Sequence, residues 1–334
     1  MKVFRHIVPV PPSAHKISHR DPVILMGSCF TEHIGRKLAR YKFNVLQNPF
    51  GIVYHPYPLV QSLERILDTE YYTEDELISR SGLWVSFDHH SRFSGPDSET
   101  VLHQINESMA EAHDFLREAR FLFVSLGTAR YYVRKEDQRI VANCHKFPAS
   151  DFVQRRAAPA QIAKRLGDIF ERLTFFNPEL QIVLTVSPVR HVRDGFVENQ
   201  RSKAALLLAA AELEATFDNV EYFPSYEIMM DELRDYRFYA DDYAHPNQTA
   251  VHYIFERFGQ AFFDERTPAL IKQIEAVLKA VAHRPFHPGS DSDVLFVERT
   301  LQQIAALEQA HPELDFRAEK EKLHRRPGRA TTTD

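Results

Sequence analysis

Cysteine is almost missing from this chain: 334 residues contain two, Cys29 and Cys144. That excludes a disulfide framework, and two free thiols fit a reducing compartment. Glycine is scarce at 11 residues, which leaves little room for tight hairpins and favours a helix-rich α/β chain. No run of about 18 apolar residues occurs, so no membrane-spanning helix is expected. The first twenty residues lack an unbroken apolar segment and a small-residue cleavage site. No signal peptide is expected there, and the expected location is cytoplasmic. Neither sign of charge dominates, with 41 Lys and Arg against 46 Asp and Glu, a net −5. That gives no support for nucleic acid or an anionic membrane as the main partner. Neither G-x-x-x-x-G-K-[ST] nor G-x-G-x-x-G occurs, so no nucleotide cofactor is expected. C-x-x-C and H-E-x-x-H are missing too, so no metal site is expected.

What is present is a rhythm of strand and helix. Five short β-like runs stand out: 22–27 (PVILMG), 43–47 (FNVLQ), 121–127 (FLFVSLG), 181–187 (QIVLTVS) and 219–224 (NVEYFP). The first, third and fourth are nearly continuous apolar runs, the pattern of parallel strands covered on both faces. Helical patterns separate them. Val101, Ile105, Met109, Ala112 and Leu116 recur at helical spacing behind Ser98, a suitable N-cap, and Pro246 suits the start of the last core helix. Strand and helix in alternation predict a three-layer α/β/α fold around a roughly five-stranded parallel sheet in flavodoxin-like order. Two inserts break the rhythm. Residues 48–97 should hold one or two short helices and a loop, and residues 130–156 a hairpin and a loop. The expected organisation is a core over 1–264, a helical extension packed on it over 265–318, and a disordered tail over 319–334.

Chemistry is concentrated in a few places. Ser28 follows the first strand and precedes a helix, where ligands of open α/β sheets bind and where free N–H groups favour an oxyanion. The same position suits a plain helix cap. A serine nucleophile needs a base, and DDYAHPN (241–247) offers one. Asp242 and His245 are three residues apart, so the carboxylate can hold the imidazole Nδ1–H and leave Nε2 for the serine. Cys29, next to Ser28, is expected to turn into the packing between helix and sheet, with thiol catalysis as the alternative. Arg190 and His191 follow the fourth strand and suit an anionic or polyhydroxylated substrate. Asn199 and Ser202 suit the cap of the next helix.

The local words go further. GSCF (27–30), NPFGIVYHP (48–56), LGTARYY (126–132), NCHKFP (143–148), TVSPVRHVRDGFVENQRSKAAL (185–206) and DDYAHPN (241–247) occur in order. Together they resemble the GSCFA family, a branch of the SGNH/GDSL hydrolases. The resemblance implies an SGNH-like fold and a serine esterase without a cofactor, with Ser28 as nucleophile, His245 as base and Asp242 as its orienting acid. It also implies an oxyanion hole with Gly51 as one donor. The family of hydrolases usually adds an Asn from a G-x-N-D block, and here Ala129 stands in its place. Losing such a donor lowers rates by on the order of 10²–10³. Asn48, Asn143 and the Thr128 hydroxyl are the possible substitutes. The implied substrate is a small-molecule or glycan O-acyl ester, with an O-acetyl ester as the natural case. An acyltransferase on the same site and a non-catalytic binding protein are the alternatives.

Overall fold

The computed structural model describes residues 6–326. In chain order the elements begin with β1 (Val23–Gly27), α1 (Cys29–Arg40), β2 (Val45–Gln47) and α2 (Pro56–Asp68). A small hairpin β3 (Ile78–Arg80) and β4 (Leu83–Val85) leads to α3 (Ser98–Glu118) and β5 (Phe121–Leu126). Then come β6 (Arg130–Arg134), β7 (Ile140–Val141) and β8 (Phe152–Arg156), followed by α4 (Pro159–Phe176) and β9 (Gln181–Val186). Next are α5 (Phe196–Thr216), β10 (Val220–Tyr222), the single turn α6 (Ser225–Glu227) and α7 (Gln248–Phe262). The last three helices are α8 (Thr267–Ala282), α9 (Asp291–Ala310) and α10 (Arg317–His324).

The central sheet has the order β10-β9-β5-β1-β2, and every pairing is parallel. This is the expected flavodoxin-like order. Side-chain alternation along the strands divides the core in two. Ile24, Met26, Leu122, Val124, Ile182 and Leu184 pack under α2 to α5, while Val23, Leu25, Phe121, Phe123 and Val183 pack under α1 and α7. Both faces are therefore apolar, which is why the strand sequences read as unbroken hydrophobic runs.

The inserts hold more structure than expected. Residues 78–85 form a hairpin whose two turn residues, Ser81 and Gly82, both have positive φ (51° and 78°). That is the turn geometry whose twist matches paired strands. In the second insert β6 pairs not only with β7 but also with β8, so the expected loop after the hairpin ends in a third strand. All but the first residue of β8 are exposed, and nothing in its pattern marks a buried face. Two caps also differ. Asp97, not Ser98, caps α3 through the Thr100 N–H, and α7 starts at Gln248 with Asn247 as its cap.

Helices α8, α9 and α10 build a separate cluster around Ile274, Val277, Val297, Ile304, Phe316 and Leu323. They meet the core at the end of α1, where Lys42 pairs with Glu319 at 2.7 Å and lies over the Phe316 ring. The segment expected to be disordered from residue 319 is helical to His324, because Leu323 is an anchor with no exposed surface. The rest of that expected tail, 327–334, lies outside the described residues. No helix among the described residues is long and apolar enough to cross a membrane.

Candidate active site

The sheet order makes one crevice inevitable. β2 lies on one side of β1 and β5 on the other, and the helices that follow β1 and β5 leave to opposite faces. Ligands of such sheets bind at this switch point, at the strands' carboxyl ends. Gly27, Ser28 and Cys29 stand there, opposite Ser125 of β5.

Gly27 sets the local geometry. Its φ is +129°, and a Cβ there would run into the Ser125 carbonyl. With this backbone the strand's side-chain alternation stops at Met26. Ser28 then caps α1: its Oγ accepts from the Phe30 N–H at 3.2 Å and shares a 2.7 Å hydrogen bond with Ser125 Oγ. Its backbone N–H is given to the Ser125 carbonyl. Ser28 is 1% exposed. Cys29, the first residue of α1, is the more exposed of the two, with Sγ 3.5 Å from Tyr54 Oη. The expected inward turn of Cys29 is thus not found. It rested on strand alternation, and Gly27 ends that alternation one residue too early.

The second half of the site comes from the loop before α7. Asp242 Oδ2 and His245 Nδ1 are 2.6 Å apart. Asp242 Oδ1 also accepts the Ala244 and His245 N–H groups, and these bonds together hold its carboxyl at a pKa of about 2. The carboxylate therefore stays ionised through mild acid and fixes the imidazole with Nε2 directed away from it. Both side chains are about half exposed. His245 has no hydrogen bond to Ser28. Burial lowers the proton affinity of His33 and His191, and charge repulsion from His245 adds a smaller part in each. His33 lies one helical turn beyond Cys29, on the same face of α1.

His191 and Arg190 follow β9, as expected from the sequence. The His191 ring meets Tyr54 edge-on at 5.6 Å, and burial lowers its pKa to about 4, so it is neutral at physiological pH. Asn199 holds the loop by accepting the His191 N–H, and the Arg190 N–H is given to the Ala244 carbonyl. The loop after β9 and the loop carrying His245 are therefore tied together. Asn199 is a brace rather than a cap, because α5 already begins at Phe196. Ser202 is likewise a brace, its hydroxyl accepting the Ala129 N–H at 2.7 Å and bonding Thr128 Oγ1 at 3.0 Å.

The expected oxyanion donors fare differently. The Gly51 N–H is already given to the Asn48 carbonyl in a turn at 2.7 Å. Thr128 is tied to Ser202 and accepts from the Arg130 N–H. Asn143 donates to Ser91 and accepts from His145, bracing its own loop. Asn48 is placed best. Its Oδ1 accepts from the Gly27 N–H at 3.0 Å and the Thr31 hydroxyl at 3.4 Å, while its Nδ2 is buried without a partner. Ala129 is completely buried.

Two features escaped the sequence. Tyr54 touches both Cys29 and His191, but nothing in its local pattern sets it apart from a packing aromatic. Lys203 is fully buried on α5, with no carboxylate beside it, and its Nζ donates to the Gly127 and Ser187 carbonyls at 2.6 Å each. Burial lowers its pKa to about 7. Beside the His245 loop there is also a cavity of about 300 Å³ lined by Arg190, Met230, Tyr236, Tyr239 and Tyr243 among others. Among the described residues no group of three or more His, Cys, Asp or Glu could hold a metal ion.

The GSCFA family model matches residues 22–258, and the model of the GSCFA domain protein C-terminal domain matches 274–326. The chain belongs to the GSCFA family. The GSCFA match covers the whole sheet and both halves of the site, from Gly27 to His245. No curated protein matches. Among solved structures, a carbohydrate esterase family 3 from Talaromyces cellulolyticus is 10% identical, with a TM-score of 0.37. That match covers 77% of this chain and 99% of the other. An acetyl xylan esterase from the rumen bacterium Butyrivibrio proteoclasticus is 11% identical with a TM-score of 0.36, covering 82% of this chain and 66% of the other.

Proposed function

We propose that this GSCFA chain is an ester hydrolase acting on an O-acyl ester of a sugar or another small alcohol. The observation that carries the proposal is the Asp242–His245 pair, whose loop is tied through the Ala244 carbonyl to the loop after β9, at the same end of the sheet as the Gly27–Cys29 turn. A carboxylate that stays ionised fixes an exposed imidazole that can serve as a general base, at the end of the sheet where the start of α1 offers a nucleophile. The expectation from the sequence is attack by Ser28, giving an acyl-enzyme that water resolves. The helix start favours the negative charge that develops on the carbonyl oxygen, and Asn48 Nδ2 is an unspent donor close by. The cavity next to His245 suits the alcohol part of the ester. Its tyrosine faces offer stacking for a ring, and Arg190 offers donors for hydroxyls.

The test is hydrolysis of p-nitrophenyl acetate and of an acetylated sugar. His245→Ala should lower kcat/KM by on the order of 10²–10⁴, and Asp242→Asn should lower kcat by a similar factor with little change in KM. Both positions are exposed, so circular dichroism should show unchanged folding. Wild-type rates in His245→Ala would sink the proposal.

A further inference from the structure

We infer that the cavity beside the His245 loop binds one sugar ring carrying an anionic group, a carboxylate or a phosphate, and that this acid sugar is the alcohol part of the proposed ester. It rests on the ester-hydrolase proposal and narrows the substrate to one class.

The cavity and the imidazole share a loop. Tyr243 lines the cavity and gives its N–H to the Ala240 carbonyl at 2.9 Å, and Ala240 gives its own to the His245 carbonyl at 2.8 Å. Arg190 lines it too and gives its backbone N–H to the Ala244 carbonyl at 3.2 Å. Two lining residues are thus tied through backbone hydrogen bonds to the Ala244–His245 step. Met229 and Met230 line the cavity from a π-helical turn, Ile228–Glu232, a backbone form frequent at functional sites.

Charge decides the class of ligand. Three charged residues line the cavity: Arg190, Arg234 and Asp235. Asp235 is already spent, since its carboxylate accepts the Arg237 N–H at 3.0 Å and lies 3.5 Å from the Arg237 guanidinium. Neither Arg190 nor Arg234 has a carboxylate partner among the described residues. Arg190 Nη2 reaches the Met230 sulfur at 3.4 Å, and a thioether is a weak acceptor. Sugar hydroxyls can take up some of these donors but leave both charges uncompensated. A carboxylate or phosphate meets a guanidinium with paired N–H···O bonds and with the opposite charge.

The rings point to a sugar as the carrier of that charge. Phe196, Tyr236 and Tyr243 line the cavity yet are 64%, 76% and 63% exposed. Tyr236 and Tyr243 meet edge-on at 5.8 Å, and their open faces offer apolar surface with a polar rim. The volume of about 300 Å³ is at the small end of ligand pockets and suits one ring rather than a chain.

The experiment titrates the full chain with glucuronic acid, glucose 6-phosphate and glucose by isothermal calorimetry at low salt. At least one acid sugar should bind tenfold or more tighter than glucose, and which one does so identifies the anion. Salt at about 0.5 M should shrink the advantage severalfold. Arg190→Gln and Arg234→Gln should each lower acid-sugar affinity at least fivefold. Arg234 is exposed, so its variant keeps the test open even if Arg190→Gln folds poorly. Arg193→Gln, exposed and outside the cavity lining, should bind as wild type. Equal affinity for all three sugars, no binding of any, or an advantage that survives both cavity substitutions overturns the inference. So does an equal loss in Arg193→Gln, which traces the preference to overall charge. The O-acetyl ester of the preferred acid sugar separates the two readings. Tight binding without hydrolysis of any acetyl ester removes the hydrolase proposal and leaves the anion site. Hydrolysis that favours acetylated glucose keeps the hydrolase proposal and removes the acid sugar as its substrate.

Discussion

At the residue scale the site depends on Gly27. Its backbone lies in a region that L-residues rarely enter, and the Ser125 carbonyl fills the space where a side chain would begin. Both problems worsen together with any larger residue. Gly27→Ala is expected to destabilise the fold by roughly 3 kcal/mol or more. Urea denaturation checks this, and a loss below about 1 kcal/mol would show that the turn can relax. The Asp242–His245 contact was legible in the sequence, since spacing alone brings the two groups into one turn. The orientation of Ser28 and Cys29 was not. It depends on one backbone angle, and a glycine's sequence neighbours do not reveal its φ. The Asn48 amide was legible only as one of several asparagines. Singling it out needs the knowledge that the Gly27 N–H takes its Oδ1 and that nothing takes its Nδ2.

At the scale of elements, what could be read in advance followed burial. β1, β5 and β9 are covered on both faces and announce themselves as apolar runs. β8, with the sequence FVQRR, is exposed beyond its first residue and forms only because β6 offers an open edge. The start of α5 was misjudged because Gly195, at φ +83°, turns the chain earlier than the polar Asn199 suggests. The last of the described residues holds a different device. Arg326 Nη2 donates to the Ala280, Val281 and His283 carbonyls, closing the C-terminal end of α8. A cation at that end also complements the helix dipole. Arg326→Ala should weaken the last turn of α8 by roughly 1–2 kcal/mol. Limited proteolysis should then cut faster between His283 and Ser290, with the proposed ester hydrolysis unchanged. An unaltered cleavage rate would mean that the cap contributes nothing.

At the scale of the whole molecule the sheet is joined behind the site by Lys203. Its amine bridges the carbonyls that end β5 and β9, and a neutral amine has two N–H donors for two acceptors. Its folded pKa of about 7 lies below the ordinary 10.5. Between these values the unfolded chain holds a proton that the folded chain has released, so stability rises with pH from about 7 to 10.5 and is flat below that window. Lys203→Met abolishes this rise. The deficit of the variant relative to wild type should therefore be larger at pH 9 than at pH 6.5, as thermal unfolding at the two values would show. An equal deficit at both would mean that Lys203 is charged throughout.

The two strands bridged by Lys203 cannot spread apart without breaking a buried, two-pronged clasp. A substrate of the proposed reaction is therefore accommodated by the loops that carry Tyr54, His191 and His245 and not by parting β5 from β9. For the proposed ester hydrolysis, adaptation to larger or smaller alcohols is then a property of the loops. Variants selected for altered substrate size should accumulate around Arg190, Tyr236, Tyr239 and Tyr243, leaving the strand ends as they are.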